Sequence, residues 1–91
     1  MRKDVLPYKH IVVTKMMNRY EELLETSKFH YIRVSHNLED YFNNIETHYK
    51  YMREFIATIY VFNYMSDEEF NTWSDKVFNL YLQYQHFAFE Q

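Results

Sequence analysis

Five histidines, at positions 10, 30, 36, 48 and 86, are the first residues with metal chemistry in them, and their spacing argues against it. A helical metal site draws its ligands from one face, as in Glu-x-x-His, but the residues three before these histidines are Pro7, Ser27, Arg33, Ile45 and Gln83. None is a carboxylate, so no metal and no cofactor is expected. His36 and Asp40 stand one turn apart, the spacing of a surface ion pair. His48 lies beside the apolar positions Ile45 and Met52; a hydrogen-bonded boundary residue is the ordinary reading, a pH sensor the sharper one. Nucleophilic catalysis has little to work with. There is no cysteine, and no glycine to build a phosphate-cradling loop or a nucleophile elbow. Ser27, Ser35, Ser66 and Ser74 suit turns, caps or surface, and the acids fall on polar faces or helix starts. An enzyme is not expected.

Phosphate contact is the next chemistry to weigh. Arg2, Lys3, Lys9, Lys15 and Arg19 are opposed only by Asp4 in the first twenty residues, and could track a nucleic acid or an acidic protein. Residues 1–36 carry seven Lys/Arg against four acids, net +3; residues 37–91 carry three against nine, net −6. A pI near 5.9 and aromatics at helix-packing positions favour protein over nucleic acid, which stays as the alternative partner.

These residues must be positioned by helices. With no glycine and a single proline, Pro7, turn punctuation is absent, and boundaries follow from capping chemistry and hydrophobic phase. Asp4 is a candidate N-cap, and Leu6, Val13, Met17, Tyr20 and Leu24, with Met16 beside them, share one face, predicting a first helix over 4–26. Thr26-Ser27-Lys28 offers the turn, because Ser and Thr bond neighbouring backbone groups. From Tyr31 the apolar seam runs through Val34, Leu38, Tyr41/Phe42, Ile45, Tyr49, Met52, Ile56 and Ile59 without losing phase. That constancy predicts one long helix over 29–64, roughly 54 Å long, with Asn43-Asn44 the place where it would break if it broke. Ser66-Asp67-Glu68-Glu69 reads as a capping box opening a third helix over 67–89, whose seam is Phe70, Trp73, Val77, Tyr81, Tyr84 and Ala88.

The expected fold is therefore all-α: one domain over 1–91, a long central helix flanked by two shorter antiparallel helices, in a dimer. The alternative is a compact four-helix bundle broken near Asn43-Asn44. Ninety-one residues bury a smaller share of their surface than a larger domain does, so assembly is a natural source of added stability. The run Phe55–Met65 is shorter than the roughly 20 residues that cross a bilayer, and no leader-like apolar segment follows Met1, so an unprocessed, cytoplasmic chain is expected. The surplus of Phe, Tyr, Asn, Ile and Lys matches AT-rich codons, as in a low-GC bacterium, its phage or another mobile element.

Two further stripes exceed what a core needs. Tyr51, Phe55, Thr58, Phe62 and Met65 recur at helical spacing about 100 degrees from the first seam, and Phe78, Leu82 and Phe89 form a second line on the last helix. Rows of large apolar groups along one face mark interfaces, and tyrosine adds area with a hydroxyl for the wet rim. The expected interface residues are Tyr51, Phe55, Phe62, Met65, Phe78, Leu82 and Phe89, meeting a second copy in a homodimer, a host protein, or both. In size and helical pattern the chain resembles bacteriocin immunity proteins and phage-borne inhibitors of host machinery. The expected function is that of a non-enzymatic protein-binding regulator or inhibitor, with a nucleic-acid-associated regulator and an immunity-type bundle as alternatives.

Overall fold

The computed structural model describes residues 6–90, with side chains described from residue 11 onward. Three helices of similar length, α1 (Leu6–His30), α2 (Leu38–Val61) and α3 (Asp67–Phe89), account for nearly all of them, and no strand occurs among the described residues. The chain is all-α. Asp4, the expected N-cap, lies outside the described residues.

The long central helix is not formed. Thr26-Ser27-Lys28 stays helical, because Ser27 points inward and is buried in line with Leu24. α1 continues to His30 and loosens into a π-helical turn, Tyr31–Ser35, closed by the His36 N–H donating to the Tyr31 carbonyl at 3.0 Å. The chain reverses at His36, which is left-handed (φ 51, ψ 20), and Asn37. Asn37 then caps α2: its Oδ1 accepts from the Asp40 N–H at 3.1 Å, and Glu39 and Asp40 sit at the positive end of the helix dipole. α2 passes through Asn43-Asn44 unbroken, so the four-helix alternative is not formed either.

α2 stops at Val61 in a Schellman arrangement. The Asn63 N–H donates to the Tyr60 carbonyl (2.9 Å) and the Tyr64 N–H to the Ile59 carbonyl (3.1 Å), with Asn63 left-handed at φ 64. The capping box at Ser66 forms as expected: Ser66 Oγ accepts from the Glu69 N–H (3.1 Å) and a Glu69 carboxylate oxygen from the Ser66 N–H (2.9 Å).

Contacts along the helices fix their directions. α1 and α2 run antiparallel, with Tyr31 against Tyr41 at 5.1 Å between ring centroids at one end and Met16 near Tyr51 at the other. α2 and α3 run antiparallel, pairing Phe42 with Phe89 (5.3 Å), Tyr49 with Tyr81 (4.5 Å) and Tyr60 with Phe70 (4.3 Å). α1 and α3 are therefore parallel, joined by the Tyr20 hydroxyl donating to the Val77 carbonyl at 2.8 Å. The molecule measures 51 × 18 × 15 Å. Its core is one column: Val13, Met17, Tyr20 and Leu24 of α1, Tyr41, Ile45, Met52 and Ile56 of α2, and Val77, Tyr84 and Ala88 of α3.

Candidate protein interface

The expected interface residues divide into three groups. Met65 is buried and belongs to the core, where it plugs the bundle beneath the α2–α3 turn; that expectation is corrected, since the chain has left the helix by residue 62 and the stripe's phase no longer applies. Tyr51 and Phe62 are 67% and 66% exposed, and Phe55, half-buried, packs on the core between them. Phe78 and Phe89 are exposed and Leu82 is half-buried, but they lie beyond the opposite flank of α2, where Phe78 meets Tyr49 (6.1 Å) and Phe89 meets Phe42. The two stripes thus face different ways. They cannot serve one flat partner together.

The Tyr51 side is the richer. Met16, Leu23, Tyr51 and Met52 wall an apolar cavity of about 90 Å³ between α1 and α2, with Arg19 and His48 among its lining. Val12 and Met16, both exposed, extend this surface along α1. Those α1 residues, spaced as Val12, Met16, Arg19 and Leu23, were legible as a stripe of their own at intervals of four, three and four, a signal masked by the stronger core seam beside it. Burial, and then the charge of Arg19, pushes the His48 pKa below its ordinary value, so the imidazole is held neutral against this face.

Acids border this face, Glu22 beside Arg19 and Glu54 beside Thr58 and Phe62, but do not occupy its central positions. Positions 12, 16, 19, 23 and 26 of α1 and 44, 48, 51, 55, 58 and 62 of the α2 flank contain no acid. Arg19 pairs with Glu22 one turn along α1 at 3.2 Å, but both ends of that pair are mostly exposed, so it is weak and exchangeable. Lys15 is exposed on α1; Arg2 and Lys3 lie outside the described residues, as does the side chain of Lys9. Among the described residues no group of three or more His, Asp or Glu is arranged to hold a metal, and no helix is long and apolar enough to cross a membrane.

No protein-family model matches the chain, nor does any curated protein or solved structure. The functional reading therefore rests on the geometry of the chain itself.

Proposed function

We propose that the chain is a protein-binding regulator or inhibitor with no chemistry of its own, docking through the α1–α2 face. The observation that carries this is the cavity beneath Met16 and Tyr51, set in a face with exposed apolar side chains and with Arg19, weakly paired to Glu22, among its lining. Helix-in-groove recognition uses such a surface: a bulky apolar side chain fills the pocket while the groove walls cover the rest of its helix. The fitting partner is an amphipathic helix with acidic residues flanking its apolar face, since Arg19 and Lys15 then add attraction and steering.

The test is capture of a partner from the native host by the wild-type chain, compared with Met16→Glu, Tyr51→Glu and Phe78→Glu. The three substituted residues are exposed, so helical content should survive each change. Loss of the same partner in Met16→Glu and Tyr51→Glu, but not in Phe78→Glu, is the expected result. Retention in both of the first two overturns the reading, and loss only in Phe78→Glu moves the site to the α2–α3 groove. A nucleic-acid partner would reveal itself by binding that falls steeply with salt.

A further inference from the structure

The connection between α1 and α2 is the least settled part of the molecule in chemical terms. It consists of His36 and Asn37, contains neither glycine nor proline, and places a residue with a Cβ in the left-handed region, at a cost of about 1–2 kcal/mol. Just before it the helix has already slipped from α to π hydrogen bonding.

The apolar phase ignores the turn altogether. Met17, Leu24, Tyr31, Leu38, Ile45, Met52 and Ile59 recur every seven residues, and so do Val13, Tyr20, Ser27, Val34, Tyr41, His48 and Phe55. Together they make a heptad seam crossing from α1 into α2 without a skip. A hairpin has no need for its two helices to share a phase, whereas a single rod does. Within this seam the residues away from the joint, such as Leu24, Tyr41 and Ile45, are buried, while the two flanking the joint are not: Val34 is 66% exposed and Leu38 is 39% exposed.

We infer that the chain also forms a domain-exchanged homodimer by straightening at His36–Asn37. α1 and α2 then become one helix over residues 6–61, roughly 84 Å long, and α1 docks on the α2 and α3 of a second copy. The occupant is a second copy because no other partner reproduces the α1 seat. The Tyr20 to Val77 hydrogen bond and the contact of Glu25 with Tyr84 are remade between chains, so the exchange conserves the core. What it adds lies at the two-fold axis, where the joints cross: Val34 and Leu38 gain cover, and His36 returns to right-handed helix. Short, strained hinge loops favour such exchange. This inference uses the joint alone and keeps the α1–α2 face intact, so it stands or falls independently of the docking reading.

Asn18 and Asn79 line one groove between α1 and α3, and the chain has no native cysteine. A double variant, Asn18→Cys with Asn79→Cys, treated with a short bis-maleimide therefore reports whose α1 sits on whose α3. Expected are a solution mass twice that of the 11.5 kDa chain and a covalent dimer on a denaturing gel. His36→Gly, which takes up the left-handed turn without strain, should raise the dissociation constant about thirtyfold or more, because the strain is relieved once in each of the two chains. A one-chain mass at every concentration tested overturns the inference. So does a two-chain mass in which the linkers join cysteines of the same chain, since that dimer associates without exchange.

Discussion

Three tyrosine hydroxyls tie the helices together, and each does so as a donor. Tyr20 donates to the Val77 carbonyl, Tyr41 to the Tyr84 carbonyl at 2.7 Å, and Tyr84 to the carboxylate of Glu25. A phenolate cannot donate, and each of these groups is buried, so the protonated form is favoured. Burial, then the charge of Glu25, pushes the Tyr41 pKa up to about 12, and the pKa values of Tyr20 and Tyr84 are raised as well, mainly by burial. A pKa raised on folding contributes stability that is complete below the unfolded value, near 10, and is lost as pH climbs through the folded value. Tyr41 alone should account for roughly 2–3 kcal/mol lost by pH 12, at about 1.36 kcal/mol per pH unit. Thermal melts between pH 9 and 12 should fall steeply in the wild type and less steeply in Tyr41→Phe, which is also about 1 kcal/mol less stable at neutral pH for want of its hydrogen bond. Equal slopes would refute this assignment. The apolar seams already placed all three on inward faces; what the sequence did not show is the hydroxyl as a cross-helix tie, a role fixed by partners distant in sequence.

At the scale of elements, local chemistry was legible and chain reversal was not. The start of α3 followed from Ser66 and Glu69 because both partners of a capping box lie within four residues. Tyr60 adds a tie across the turn by donating to Asp67. Ser66→Ala should therefore cost about 1 kcal/mol, a fall of about 4–8 °C in Tm for a domain of this size, with Ser66→Asp recovering most of it. No change in Tm would mean that α3 is held by packing alone. The reversal at His36–Asn37 carried an equally local signal, Asn37 followed by Glu39 and Asp40, but the uninterrupted seam of Tyr31, Val34 and Leu38 outweighed it. Ser27 misled in the opposite direction: a residue that could end a helix is instead buried within one. The proposed docking face was half legible, with Tyr51, Phe55 and Phe62 visible as a stripe, while its α1 wall needed the antiparallel pairing to bring Met16 opposite Tyr51.

As a whole, the described residues bury one narrow cluster of side chains drawn from three helices, flanked by half-buried aromatics, in a rod of 51 × 18 × 15 Å. Such a small domain has little stability in reserve, and the column's members differ sharply in weight from the residues outside it. Ile45, fully buried on the middle helix, sits in the one core cluster of the described residues; Ile45→Ala removes apolar area and leaves a cavity that neighbours fixed by three helices cannot close, at a cost of about 2–5 kcal/mol. Tyr51→Ala, six residues along the same helix but outside the column, should change stability by no more than about 0.5 kcal/mol. Urea unfolding of the two variants separates stability from binding: Ile45→Ala should lower the midpoint strongly with the slope unchanged, and Tyr51→Ala should leave the midpoint in place while weakening capture of a partner. If Tyr51→Ala lowered the midpoint as Ile45→Ala does, the exposed face would be part of what holds the rod together, and its surplus of apolar surface would need no partner to explain it.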